Sequence, residues 1–406
     1  MNLLVICQYY DPEPFRIHDL CAGLVQLGHS VQVVTGMPNY PAGDLYPGFA
    51  DNKARDEVLD GVRIHRCPIH PRKHGALHRL WNYYSFHRQA GRYTSSSHCA
   101  AADGRPFDLV LVYQLSPVMM AKPALLYRRL HPVPILMYCL DLWPESLLAG
   151  GVSRDSFVFR FYHRVSARIY RSMDRILVTS ARFAPYLIRE FDIPAARIRH
   201  LPQYAEDLFR PLPPRKRDGT VNLMFAGNVG NLQNAGILLD AAKLLCQEPV
   251  VFHVVGDGSE LEKLKKRAKD EDLQNVCFHG RRPLEEMPSL YAEADAMLVT
   301  MKNDPILSLT LPGKVQSYMA SARPVIGSIG GETARVIAEA DCGFCAPPED
   351  PEALTAEIRR FLACNSPERL GQNARTYYDA HFTRTHFLTE LDREISNLVR
   401  VRGFDP

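Results

Sequence analysis

The sequence predicts two doubly wound α/β domains in tandem. Three observations predict it. Short apolar runs alternate with segments of helical periodicity, the pattern of βαβ units and a parallel sheet. The series starts twice, at the N-terminus and again near residue 221. Between the two starts lies Leu212-Pro-Pro-Arg-Lys-Arg-Asp-Gly219, rich in proline and charge and closed by glycine, a boundary composition. A chain of 406 residues fits two such domains. Each is large enough to bury a core without disulfides or structural metals.

Leu3–Cys7 reads as the first strand, Arg16–Leu27 as a helix stopped at Gly28, and Val31–Thr35 as the second strand. Leu109–Tyr113, Ile135–Cys139 and Ile176–Thr179 continue the first series as strands, and Phe157–Arg175 is a basic helix. In that helix Phe161, Val165 and Ile169 recur at helical spacing. The second series runs Val221–Ala226 (strand), Ala235–Leu245 (helix), Val250–Val255 (strand) and Glu260–Ala268 (helix). Val276–Phe278, Ala296–Thr300 and Pro324–Gly327 follow as strands, and helices run from Asp350 to the end. Ligands of such sheets bind at the carboxyl ends of the strands, so a central cleft between facing domains is the expected active site.

Charge divides unevenly. The net charge of +3 is +8 over residues 1–205 and −5 over residues 206–406. From Gly61 to Ala102 no acidic residue occurs among seven Arg/Lys and six His, with Trp81, Tyr83, Tyr84, Phe86 and Tyr93 interleaved. Basic residues mixed with Trp and Tyr fit an anionic membrane surface, with nucleic acid and a merely solvated face as the alternatives. No apolar run reaches the roughly 18 residues of a membrane span. The N-terminus lacks the basic flank of a signal peptide. Ten scattered cysteines fit a reducing compartment, and Cys342-Gly-Phe-Cys345, in a strand-like stretch without further ligands, reads as two buried thiols.

Neither domain carries G-x-G-x-x-G after its first strand or a P-loop, which argues against a dehydrogenase or an NTPase. The second domain instead places Gly227-Asn228-Val-Gly230-Asn231 between a strand and a helix, and Gly256-Asp-Gly-Ser259 after the next strand. Glycine-rich βα turns present backbone N–H groups and a helix N-terminus to an anion. Thr310-Leu-Pro-Gly313-Lys314 would add an ammonium at a helix start. In the first domain Asp141-Leu-Trp-Pro-Glu145 puts two carboxylates at a strand end, where sugar binding or acid/base work is possible.

Taken in order, these stretches resemble retaining glycosyltransferases of the GT-B fold, in the group called family 4. The type is that of bacterial O-antigen and colanic-acid transferases, N-acetyl-L-fucosamine transferases among them. The resemblance rests on Pro14-Phe15-Arg16-Ile17, Thr35-Gly-Met-Pro-Asn39-Tyr40-Pro-Ala-Gly43, Tyr113-Gln-Leu-Ser-Pro117, Asp141-Leu-Trp-Pro-Glu-Ser146, Leu201-Pro-Gln-Tyr-Ala-Glu-Asp207, Gly227-Asn-Val-Gly230 and Pro312-Gly-Lys314 with Tyr318-Met-Ala. It implies an acceptor domain over 1–205, a nucleotide-sugar domain over 206–383, and a last helix within 384–406 that crosses back to the first domain. It implies a UDP-sugar donor and an undecaprenyl-diphosphate-linked acceptor, with no cofactor, catalytic metal or nucleic acid. The implied setting is the cytoplasmic face of the plasma membrane, contacted through residues 61–102.

The implied donor residues are Gly227, Asn228, Gly230, Asn231, Gln233, Gly256, Arg281, Thr310, Gly313, Lys314 and Glu332. Asp141, Glu145 and Lys314 are the implied catalytic set, and Phe15, Arg16, Asn39 and Tyr40 the acceptor set. The chain departs from the family pattern at two places. Leu309 and Ser317 stand where the family has its Glu-x7-Glu pair, and Asn231, Gln233 and Asn234 stand where it has Arg and Lys. Glu332 is the substitute candidate for the ribose. Leu140 also replaces a common His. A UDP-GlcNAc 2-epimerase of the same fold and a non-catalytic binding protein are the competing functions.

Overall fold

The computed structural model describes residues 1–73, 75–149, 151–216 and 219–401. His74 of the basic stretch, Arg217 and Asp218 of the expected boundary, and the last five residues of the expected 384–406 segment lie outside the described residues. The chain divides into two compact units. One comprises Met1–Thr179, Phe183–Leu201 and the chain from Leu388 onward, the other Ser180–Arg182 and Pro202–Phe387.

The first unit is built on strands β1 (Asn2–Ile6), β2 (Ser30–Gly36), β3 (Arg55–Leu59), β4 (Val62–Cys67), β5 (Leu109–Gln114), β6 (Ile135–Cys139), β7 (Arg175–Val178) and β8 (Ile198–His200). They form one sheet in the order β3-β4-β2-β1-β5-β6-β7-β8. β1 is buried throughout, as a central parallel strand covered by helices must be. It pairs with β2 from Asn2↔Ser30 to Ile6↔Val34 and with β5 from Leu3↔Leu109. The chain winds one way from β1 through β2 and the other way through β5, so the switch point lies between β1 and β5.

The antiparallel hairpin β3–β4 was not expected from the sequence, because charged residues interrupt its apolar positions. Its turn is Asp60-Gly61, with φ of 48° and 77°, the pair that a two-residue hairpin turn favours. The hairpin buries Arg66, which donates to Glu57 at 2.5 Å and to the Asp11 carbonyl at 2.6 Å. Arg66 therefore belongs to the core and not to an exposed basic face. The basic helix is shorter than expected, Phe157–Arg171, capped by the Ser156 hydroxyl accepting from Phe159 N–H. Phe161 faces outward and is 50% exposed, while Ile169 and Tyr170 are buried.

The last helix, Arg384–Val401, joins the first unit from Leu388 on. Leu391, Ile395 and Val399 are buried there, Asp392 meets His29 at 2.8 Å, and Glu394 meets Arg175 at 2.9 Å.

The second unit holds β9 (Val221–Ala226), β10 (Val250–Val255), β11 (Val276–Gly280), β12 (Ala296–Thr300), β13 (Val325–Ser328) and β14 (Gly343–Ala346). All are parallel, in the order β11-β10-β9-β12-β13-β14, with the switch point between β9 and β12. Leu223, Phe225, Phe252, Leu298 and Ile326 are fully buried against the covering helices. Cys342 is buried and Cys345 half-buried, and both are free thiols.

Candidate active site

In the second unit the site is built at the carboxyl ends of β9 and β12. β9 runs into Gly227, whose φ of +135° is a conformation that a side chain strains. Gly227 N–H donates to Val255 O at 2.9 Å, and Val229 N–H to Asp257 O at 2.8 Å. Gly256, at φ +140°, presses so close that a Cβ would stand 1.8 Å from Gly227 O. The two glycine turns are thus zipped together. Asn228 and Gln233 bond to each other at 3.1 Å, and Thr300 holds the Gln233 carbonyl at 2.6 Å. Asn231 receives Lys302 Nζ at 2.7 Å.

Lys314 sits on the helix Gly313–Ala320. One turn further on the same face, Tyr318 accepts from Ala226 N–H and donates to Ala226 O at 2.9 Å, which pins that face to the end of β9. Lys314 Nζ is held 3.8 Å above the Phe225 ring and 2.8 Å from the position of a Cβ on Gly227. The side chain is partly exposed, yet Nζ itself is out of solvent and meets no hydrogen-bond acceptor. Burial pushes its pKa down to about 7. An unpartnered ammonium is costly to bury, and an entering anion offsets that cost. The first N–H groups of the helix, which lack intrahelical acceptors, add favourable potential there.

Two expected donor residues are placed otherwise. Glu332 was to stand in for a ribose-binding glutamate. It is 1% exposed, and its carboxylate is spent on Arg335 at 2.8 Å and Arg182 at 3.5 Å. The i,i+3 spacing of Glu332 and Arg335 was the sequence signal for that pair. Arg281 is exposed after β11, two strands away from β9. Thr310 and Gly313 flank Lys314, with the Thr310 carbonyl accepting from Thr333 at 3.1 Å.

In the first unit the loops after β1, β2 and β4 are tied by two buried side chains. Glu13, missed by the sequence reading, accepts N–H bonds from Tyr10 (3.1 Å), Asn39 (2.8 Å) and Tyr40 (2.7 Å). Its burial nevertheless raises its pKa to about 7. Asn39 accepts from Arg72 N–H at 3.0 Å and donates to Met37 O at 3.0 Å. It is fully buried and ties the loops together. Phe15 and Tyr40 are half-buried and lie 5.1 Å apart, and both pack on Tyr9. Arg16 is half-buried, close enough to Tyr113 and Tyr138 for its charge to act on both phenols.

Glu13→Ala would strand the buried N–H groups of Tyr10 and Asn39, at about 1 kcal/mol or more each, and the half-buried one of Tyr40. We expect faster amide exchange at Tyr10, Asn39 and Tyr40 in that variant, and exchange at the natural rate would contradict the suture.

Asp141 accepts from Ser116 N–H at 3.2 Å, and desolvation raises its pKa. Glu145 is 1% exposed and ion-paired with Arg154 at 2.8 Å, which ties it into its own loop. Trp143 is buried with it. Among the described residues no three His, Cys, Asp or Glu side chains are grouped so as to hold a metal ion.

Two α/β units, each on a doubly wound and mainly parallel sheet, define a protein of the GT-B fold. Comparison with known families gives the domains their names. Residues 15–203 match the glycosyl transferase 4-like domain, and residues 220–364 match glycosyl transferases group 1. The chain carries two glycosyltransferase domains. It is 30% identical over 257 residues to the probable glycosyltransferase WbjE of Pseudomonas aeruginosa, covering 58% of this chain and 63% of WbjE. It is 25% identical over 390 residues to the putative colanic acid biosynthesis glycosyl transferase WcaI of Escherichia coli K12, covering 89% and 92%. Anabaena HepE, solved in complex with UDP-glucose, superposes with a TM-score of 0.68 over 98% of this chain and all of that one, at 14% identity.

Proposed function

We propose that the chain is a retaining glycosyltransferase. It moves a sugar from a UDP-sugar to an undecaprenyl-diphosphate-linked saccharide during surface-polysaccharide synthesis (O-antigen, capsule or exopolysaccharide). The donor sugar is N-acetyl-L-fucosamine or another N-acetyl or deoxy hexose. The observation that carries the proposal is Lys314, a buried ammonium without an acceptor beside the Gly227 turn. UDP-glucose in HepE supports the donor class, the names of WbjE and WcaI support the activity, and that of WcaI supports the polysaccharide setting.

In this mechanism the acceptor hydroxyl attacks the anomeric carbon from the face that UDP leaves. The new C–O bond forms as the bond to the diphosphate breaks, and the hydroxyl proton passes to the departing diphosphate oxygen. Lys314 and the helix N–H groups stabilise the charge that develops there, which is where electrostatic preorganisation lowers a barrier most. Asp141 orients a sugar or acceptor hydroxyl. The test is the anomeric configuration of the product formed on a synthetic lipid-linked saccharide. Retained configuration with UDP as co-product supports the proposal. An inverted linkage, or an epimerised UDP-sugar without acceptor, overturns it.

The membrane is met through the first unit. Among the described residues no helix is long and apolar enough to cross a bilayer. On the helix Ala76–Thr94, Leu77, Leu80, Trp81 and Tyr84 are exposed beside Arg79 and Arg88. On the helix Phe157–Arg171, Phe157, Val158 and Phe161 are exposed beside Arg160, Arg164 and Arg168. Both helices pack against the turn Val118–Ala121. Apolar tips with arginines around them fit an anionic bilayer surface. Combined Trp81→Ser and Phe157→Ser should reduce sedimentation with anionic vesicles about tenfold, and undiminished sedimentation would contradict the contact.

A further inference from the structure

We propose that Arg72 is the anion anchor of the first unit, built to hold a phosphate or diphosphate ester next to a sugar. In the function proposed above, on which this assignment rests, that ester is the diphosphate of the lipid-linked acceptor.

Arg72 differs from its neighbours in what it pairs with. Arg66, Arg128, Arg154 and Arg175 of the same unit each meet a carboxylate, Glu57, Asp174, Glu145 and Glu394 respectively. Arg72 is half-buried, and among the described residues no carboxylate lies within ion-pair distance of it. Nη1 donates to the Tyr9 hydroxyl at 3.2 Å, and the guanidinium lies 5.2 Å from the Tyr40 ring centroid. Around it are the phenols of Tyr9, Tyr40 and Tyr83. A desolvated cation without a carboxylate partner leaves charge for an incoming anion, and among the described residues the Nε–Nη2 edge meets no acceptor.

The residue is also fixed before any ligand arrives. Its backbone N–H is held by Asn39 Oδ1, and Asn39 is itself held by Asn82 at 3.3 Å. Lys73 N–H donates to Gly43 O at 2.8 Å. A guanidinium clamped in one orientation offers a planar fork that matches phosphate oxygens, with little further entropy to lose. The segment follows β4 and is sutured to the loops after β1 and β2, at the carboxyl end where ligands of such sheets bind. The half-exposed faces of Phe15 and Tyr40 stand next to it for a sugar ring.

The experiment has two arms. In the first, inorganic pyrophosphate is titrated into the full chain with its donor site saturated by UDP, followed by ³¹P line broadening. The natural chain should bind, Arg72→Gln should not, and Arg72→Lys should retain part of the affinity. In the second, transfer is measured with lipid-linked acceptor. Arg72→Gln should raise the acceptor KM about 10- to 100-fold and leave the donor KM unchanged. Pyrophosphate binding that is absent in the natural chain, or that survives Arg72→Gln, would overturn the assignment. So would an unchanged acceptor KM. Loss of anionic-vesicle binding in Arg72→Gln would also overturn it, because it would make the phosphate a lipid headgroup. The first arm needs no turnover, so it reads Arg72 even if the transferase proposal fails. Matching melting curves for Arg72→Lys and the natural chain show that the packing survives.

Discussion

Lys314→Ala should lower turnover of the UDP-sugar by about 100- to 1,000-fold and leave the melting temperature close to that of the natural chain. The first effect follows from position. Nζ is the cation at the Gly227 turn, out of solvent and without an acceptor. In the proposed mechanism its charge is felt most by the diphosphate as it departs. The second effect follows from the same facts. The substitution removes the packing over Phe225, but it also removes a buried charge that the folded protein does not pair. The two changes offset.

The pH dependence has a definite sign. The folded value of about 7 lies below the ordinary lysine value of 10.5. Between those values the unfolded chain holds more protons than the folded one. Stability through this group therefore rises with pH across that window, and the burial penalty is present in full below about 7. Diphosphate binding runs the other way, because it needs the ammonium. UDP affinity should weaken as pH rises past 7, and the slope should vanish in Lys314→Ala. Equal pH profiles for the two proteins, by calorimetric titration, would remove Lys314 from the site.

Gly256→Ala should destabilise the second unit by about 3 kcal/mol or more. At φ +140° an L side chain is strained, and the added Cβ would meet Gly227 O at 1.8 Å. The backbone must shift at the very turn proposed to line the donor site, so UDP binding should fall as well. Gly28→Ala is the control. It has φ +89° with nothing within 4 Å of the added Cβ, so only the left-handed penalty of about 1–2 kcal/mol applies. Denaturant unfolding of the two variants separates these costs. Equal destabilisation would show that the zipped glycine turns are not what fixes this site.

The strands that were legible are those whose residues are buried on both faces. Ile135–Cys139, Val221–Ala226, Val250–Val255 and Ala296–Thr300 read as unbroken or nearly unbroken apolar runs because helices cover both sides of each sheet. The edge hairpin was hidden because Arg55, Asp56, Glu57, Arg63 and Arg66 break the run, although Asp60-Gly61 announced the turn. Lys314 and the glycine turns could be nominated because their chemistry is local in sequence. Glu13 could not. It lies between Pro12 and Pro14, which reads as an exposed turn, and its three partners are supplied by two separate loops. Glu145 and Glu332 looked free for the opposite reason. Their arginines, Arg154 and Arg335, are near in sequence, but nothing in the spacing alone says whether such a pair is a buried lock or a solvated face.

The most direct test of the central claim is UDP release by the purified protein. A panel of UDP-sugars is supplied with and without membranes containing undecaprenyl-diphosphate-linked GlcNAc. Release is expected from one donor, dependent on the lipid-linked acceptor and lost in Lys314→Ala. Donor turnover that proceeds equally without acceptor would contradict it and point to an epimerase. No turnover of any donor, with UDP still bound, would contradict it in favour of a non-catalytic role.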